Sequence, residues 1–156
     1  MTALILQARL DSNRLVGKCM LDLEGRPLIF RVMESLASVK CDVKVLACPE
    51  DCLEAFSPLA EEAEFELFCG PRDDVLNRYC MVIRRFNPDR IIRATGDNPF
   101  VFSDAADTLN EEALALQVDY AGYYGLPYGA GIESVNSEAL LRAEREAQSA
   151  YDRENV

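Results

Sequence analysis

The sequence predicts a three-layer α/β/α sandwich around a mostly parallel central sheet. Two observations carry this. Short apolar runs recur along the chain, and between them lie segments whose apolar residues repeat at helical spacing. Parallel strands cannot be joined by a tight hairpin and need a crossover, so strand and helix signals that alternate are what such a sheet requires. A length of 156 residues fits one domain, read here as residues 1–156.

Each element follows in order. Leu4-Ile5-Leu6 is a first strand, and Gln7 and Arg9 begin a polar loop after it. Pro27 opens a helix that carries Leu28, Ile29, Val32, Met33 and Leu36 on one face. Val43, Val45 and Leu46 form the next strand. Glu50 to Glu62 is helical, with Pro58 expected to kink or divide it. Phe65, Leu67 and Phe68 alternate with acids as a short edge strand. Asp73 and Asp74 cap a helix with Val75, Leu76, Tyr79, Val82, Ile83 and Phe86 on its apolar face, and Pro88 ends it. Ile91-Ile92 is a strand leading into Thr95-Gly96-Asp97. Ala105 to Leu116 is a helix and Val118 to Tyr120 a short strand. A Gly/Tyr-rich loop spans Gly122 to Gly131, then Ile132 to Val135, and a last helix runs from about Glu138 to Gln148.

Composition narrows the function. The net charge is -11, and Lys and Arg outnumber Asp and Glu only in residues 1–48 and 76–102. A phosphate backbone needs many cations across a broad surface, so nucleic acid is not an expected partner. Two local concentrations of positive charge suit a compact anion such as a nucleoside triphosphate. No apolar run is long enough for a membrane helix, so no membrane partner is expected. The N-terminus begins a strand with no export signal, which makes the cytoplasm the expected location. The six cysteines form no CxxC pair and there is no histidine, so free thiols in a reducing compartment are expected rather than a zinc site.

Four segments carry candidate chemistry. In Gln7–Lys18, the cations Arg9, Arg14 and Lys18, the Ser12 hydroxyl and Gly17 follow directly on a strand. Guanidinium forks, a mobile ammonium and exposed backbone N–H groups are the equipment a triphosphate needs. Walker A spacing is absent; a solvated basic loop is the alternative. In Arg93-Ala94-Thr95-Gly96-Asp97-Asn98-Pro99, an aspartate at a strand end suits magnesium, Gly96 permits close approach, and Asn98 can orient a ligand or a metal-bound water. A tight Asp-Asn-Pro turn would use the same residues. Gly70-Pro71-Arg72 leads into a helix whose Arg78 either faces the same cleft or makes a surface ion pair. Tyr123 to Gly131, followed by Ile132-Glu133, offers tyrosines either as a wall for a sugar or as packing against the sheet.

Together these residues resemble the spore-coat-polysaccharide-biosynthesis cytidylyltransferase family, related to the synthetases of CMP-Kdo and CMP-sialic acid. The family's Gln-Ala-Arg-x-x-Ser-x-Arg-Leu-x-Gly-Lys loop is similar to Gln7-Ala8-Arg9, Ser12, Arg14-Leu15 and Gly17-Lys18, followed by Leu23, Gly25 and Pro27-Leu28. Its acidic helix start resembles Asp73-Asp74-Val75-Leu76-Asn77-Arg78-Tyr79, and its Thr-Gly-Asp-x-Pro turn matches Thr95 to Pro99. The likeness covers nearly the whole chain. It implies a Rossmann-like nucleotide-diphospho-sugar transferase fold. It implies that Arg9, Ser12, Arg14 and Lys18 hold the phosphates of CTP, that Leu6, Ala8 and the Gly70 region, with Arg78, lie near the nucleotide, and that Asp97 binds Mg²⁺. Asn98, Tyr128 and Glu133 fall on the acceptor side, and relatives commonly pair as homodimers.

Two departures stand out. Typical members carry Gly-Leu-Asp-x-Glu where this chain has Gly129-Ala130-Gly131-Ile132-Glu133, so an aspartate gives way to Gly131. Relatives also continue for several tens of residues past Val156, so a chain shortened at its C-terminus is expected. The implied activity is Mg²⁺-dependent transfer of CMP from CTP to a sugar or sugar phosphate, releasing pyrophosphate, in surface polysaccharide or glycan precursor synthesis. Arg14, Lys18 and Asp97 would be catalytic. The rivals are a transferase that uses a finished nucleotide sugar and a non-catalytic nucleotide-sugar binding module.

Overall fold

The computed structural model of the chain describes residues 1–11 and 15–156. In chain order its strands and helices are β1 (Thr2–Gln7), β2 (Asp22–Leu23), β3 (Arg26–Pro27), α1 (Leu28–Ser35), β4 (Val43–Pro49), α2 (Leu53–Glu62), β5 (Glu66–Gly70), α3 (Val75–Phe86), β6 (Arg90–Thr95), α4 (Ala106–Ala115), β7 (Tyr120–Gly122), β8 (Glu133–Asn136), α5 (Ser137–Glu146) and α6 (Ala150–Glu154). Single 3-10 turns cover Lys18–Met20, Glu50–Cys52 and Ser103–Ala105.

Six strands form one sheet in the order β5-β4-β1-β6-β8-β7. The first four run parallel, whereas β8 lies antiparallel to β6 and β7 antiparallel to β8. Successive side chains of a strand point to opposite faces, and the two faces build two cores. Leu4, Leu6, Leu46, Cys48, Ile92 and Ala94 meet Ile29, Val32 and Met33 of α1, Phe56 of α2 and Leu109 of α4. Ala3, Ile5, Val45, Ala47 and Ile91 meet Leu76, Tyr79 and Ile83 of α3 and Leu140 of α5. This is the three-layer sandwich that the alternation predicts.

The helix from Glu50 differs from expectation in one respect. It starts as a 3-10 turn, and α2 then runs unbroken through Pro58. Pro58 lacks the N–H that would bond the Glu54 carbonyl four residues earlier; both residues are exposed, so water can take that carbonyl.

β1 is the hinge of the topology. The chain leaves it to build β4 and β5 on one side, then crosses by α3 to β6 on the other. Loops leaving the carboxyl ends of β1 and β6 therefore diverge, and the crevice between them is where ligands sit in open α/β sheets.

A buried polar cluster joins the two antiparallel strands to this frame. Arg90 is buried; its Nε donates to Ser134 Oγ at 2.8 Å and its Nη1 to the Val118 carbonyl at 2.9 Å. Ser134 Oγ donates onward to Asn110 Oδ1 of α4 at 2.9 Å. Burial pulls the Arg90 pKa below its ordinary value, so these acceptors are what keeps a buried guanidinium tolerable.

Candidate active site

β1 and β6 pair in register as far as Gln7 and Thr95, so the loops that follow leave the sheet side by side. The Gly96 N–H donates to the Gln7 carbonyl at 2.8 Å, tying the second loop to the first. A Cβ on Gly96 would lie 2.5 Å from Ile29 Cδ1 and 2.7 Å from Ala8 Cβ, so only glycine fits there. The first loop returns through Gly17, left-handed at φ 70, whose N–H donates to the Leu10 carbonyl at 2.8 Å. Cys19, in the following turn, sends its thiol to the Arg9 carbonyl at 3.4 Å and the Gly96 carbonyl at 3.6 Å. Both loops are thus clasped at their bases.

Lys18 Nζ reaches across to Asp97 Oδ2 at 2.6 Å. Burial pushes the Asp97 carboxyl up, but the hydrogen bond and charge of Lys18, with Thr95 assisting, outweigh it and hold the group below the ordinary aspartate range. This pair stands between two adjoining cavities. One, of about 340 Å³, is lined by Gln7, Ala8, Arg9, Lys18 and Asp97, with Glu154 and Asn155 from the far end of the sequence. The other, of about 630 Å³, is lined by Lys18, Asp97, Arg93, Asn98, Tyr128 and Glu133. Lys18, Thr95 and Asp97 belong to both.

The second cavity has its own ion pair. Arg93 bonds to Glu133, its register partner on β8, and Tyr120 donates to the same carboxylate at 3.1 Å. The Arg93 guanidinium is raised despite its burial, because Tyr79 and Glu133 both favour its charge. Tyr128 is fully exposed at the cavity rim, and Asn98 lies against the backbone at Gly129. Gly131 has open space where a Cβ would point.

The candidate residues thus divide. Ala8, Arg9, Lys18 and Asp97 line the first cavity, and Asn98, Tyr128 and Glu133 join Lys18 and Asp97 in the second. Leu6 is buried in the core and lines neither cavity. Gly70 lines a separate hollow with Arg72 and Met81. Arg78 lines none of these; it is fully buried under that loop, with Nη1 donating to the Pro71 carbonyl at 2.6 Å and its stem against Gly70. Ser12 and Arg14 lie outside the described residues. Among the described residues no cluster of three or more acidic, cysteine or histidine side chains could hold a metal ion.

A profile of the cytidylyltransferase family matches residues 3–156. The chain belongs to this family. Its relatives include an uncharacterised protein of Methanocaldococcus jannaschii, 32% identical over 156 residues, with 97% of the present chain and 63% of the relative covered. Another is the spore coat polysaccharide biosynthesis protein SpsF of Bacillus subtilis, 34% identical over 150 residues, with 90% and 61% covered. The chain therefore spans less than two thirds of the length of these curated relatives. A solved cytidylyltransferase from Leptospira borgpetersenii superposes with a TM-score of 0.92 at 24% identity, over 99% of this chain and 68% of that one, and shares its fold.

Several site residues escape a reading of the sequence. Glu154 and Asn155 line the first cavity because α6 folds back on the start of α3, where Arg153 pairs with Asp74 at 2.7 Å. Arg93 lines the second; the sequence reading places it at the head of a candidate segment but gives it no role. Among the described residues no helix is long and apolar enough to cross a membrane.

Proposed function

We propose that residues 1–156 form a nucleotidyltransferase domain that transfers CMP from CTP to a sugar-type acceptor with release of pyrophosphate. The observation that carries this is the pair of cavities sharing one wall at Lys18 and Asp97. Two substrates that exchange a group need adjoining sites and a charged element at the boundary where the bond forms and breaks. Membership of the cytidylyltransferase family supports CTP as donor.

In this reading the nucleotide occupies the first cavity, with its phosphates on Arg9 and Lys18 and its base and ribose toward Ala8. Ser12 and Arg14 belong to the same phosphate-holding loop. Asp97 suits Mg²⁺, which binds through one or two carboxylates and completes its shell with phosphate oxygens and water. Bound there, Mg²⁺ supplies charge neutralisation at the α-phosphate. The acceptor lies in the second cavity against Asn98 and Tyr128. An acceptor oxygen forms its bond to the α-phosphorus as the bond to the pyrophosphate oxygen breaks, and the leaving group departs with the electron pair onto Lys18 and Arg9. An ionised phosphate oxygen has no proton to lose; a hydroxyl would pass its proton to Glu133 in the same cavity.

The test is calorimetric titration with CTP, UTP, ATP and GTP, each with and without Mg²⁺. Magnesium-dependent binding that prefers CTP and weakens in Asp97→Ala is expected. Equal weak binding of all four would remove the assignment. With an acceptor in hand, Lys18→Ala should lower turnover by about 2–4 kcal/mol of transition-state stabilisation. Pyrophosphate release separates this reaction from one that starts with a finished nucleotide sugar.

A further inference from the structure

Three described cations line the two cavities, and each is held by a carboxylate: Arg9 by Glu154 at 3.3 Å, Lys18 by Asp97 at 2.6 Å, and Arg93 by Glu133. Among the described residues that line the cavities, each cation therefore has a carboxylate partner before any ligand arrives. At Lys18 the partner is the carboxylate assigned to the metal, and the inference rests on that assignment.

An isolated divalent ion approaching Asp97 meets the Lys18 ammonium already there, within hydrogen-bond distance of the same carboxylate. Like charges in such proximity disfavour each other. The backbone of Lys18 is fixed on both sides, so the ammonium moves only by swinging its stem between partners within reach. Gly17 bonds back to Leu10, and Cys19 bonds to the carbonyls of Arg9 and Gly96, the residue before Asp97. Its alternative partner is an anion brought into the first cavity. The donor set agrees: among the described residues no three possible ligands gather around Asp97, which suits an ion that arrives with phosphate oxygens, not one that binds alone.

We infer that Lys18 is a built-in counter-ion of Asp97 that makes divalent metal and triphosphate bind to this site as a unit. Triphosphate draws Lys18 off the carboxylate and frees it for the metal, and the metal in turn frees Lys18 for the phosphates. Linkage is reciprocal, so each ligand must tighten the other by the same factor.

The experiment titrates Mn²⁺ by the paramagnetic resonance signal of the free ion. Mn²⁺ alone should bind Lys18→Met roughly tenfold more tightly than the unaltered chain, as removal of an adjacent like charge does for an ionic equilibrium. Lys18→Arg keeps the charge and should behave as the unaltered chain. The gain should vanish in the double variant Lys18→Met, Asp97→Asn. Equal Mn²⁺ affinity in Lys18→Met and the unaltered chain would overturn the inference, as would a gain that survives loss of the Asp97 charge. A second measurement needs no substitution. In the unaltered chain, saturating CTP should tighten Mn²⁺ about tenfold beyond its affinity for the CTP in solution, and independence of the two ligands would also overturn the inference. Failure of CTP to bind any form would remove the proposed function, while the arms with Mn²⁺ alone still decide the role of Lys18.

Discussion

At the scale of single residues, the tightest constraint is at Gly96. The methyl of Gly96→Ala would collide with Ile29 and Ala8, neither of which has solvent to move into, since both are buried. A loss of about 1–3 kcal/mol is expected from the overpacking, read as a lower midpoint in urea denaturation. Ser134→Ala makes a different kind of damage. It removes the acceptor of Arg90 Nε and the donor to Asn110 together, leaving buried polar groups unpaired at about 1–3 kcal/mol. Restoring stability in Ser134→Ala, Asn110→Leu would show that the Asn110 acceptor carries part of that cost. Arg9 and Asp97 are recognisable in the sequence because a cation or a carboxylate just past an apolar strand has few structural reasons to be there, and Lys18 because it closes the same basic loop as Arg9. Glu154 is not, since an acid near the end of an acidic segment looks like every other acid until the fold places it beside Arg9, 145 residues away.

Among elements, the N-terminus of α3 is tied to α6 through a single side chain. Asp74 caps it by accepting from the Asn77 N–H at 2.9 Å, and its other oxygen holds Arg153 of α6. Asp74→Ala should cost about 1–2 kcal/mol and speed amide exchange across 150–154. Asp74→Asn keeps the cap but loses the charge, so it should spare α3 and loosen α6. The element pattern explains what a reader of the sequence can see. α1 and α3 run long enough for apolar spacing to repeat two or three times, and Asp74 announces the start of α3 as its cap. β2 and β3 have two residues each, so no alternation can register; what marks them is Glu24-Gly25, consecutive left-handed residues at φ 52 and φ 81 that reverse the chain. The reversed direction of β8 was equally hidden, because apolar alternation is the same read from either end.

Across the whole molecule, five buried or half-buried thiols shift in the same direction. Burial pushes Cys80 up to about 12 and raises Cys19, Cys41, Cys48 and Cys52 as well, from a usual value of 9.0. An unfolded chain would release these protons first. It therefore binds fewer protons than the folded chain at alkaline pH, and stability falls as pH rises from about 9 toward 12. Denaturation midpoints measured from pH 7 to 11 should stay level and then decline, and iodoacetamide at pH 8 should label Cys80 only after unfolding. A flat profile through pH 11 would contradict the burial of these groups.

The reversal of the sheet beyond β6 has a further consequence. The loops after β1 and β6 hang from parallel strands clasped at Gly96, whereas the 123–131 segment joins β7 to β8 and hangs from the antiparallel pair anchored at Arg90 and Ser134. The two cavities share the wall at Lys18, Thr95 and Asp97, but the rim that carries Tyr128 hangs from a different pair of strands. A lineage can rewrite the loop around Tyr128, lengthening it or exchanging its aromatic rings, without disturbing the register of β1 against β6. On the proposed function, selection for a new acceptor can then act on that one stretch of sequence and leave the shared wall at Lys18 and Asp97 as it is.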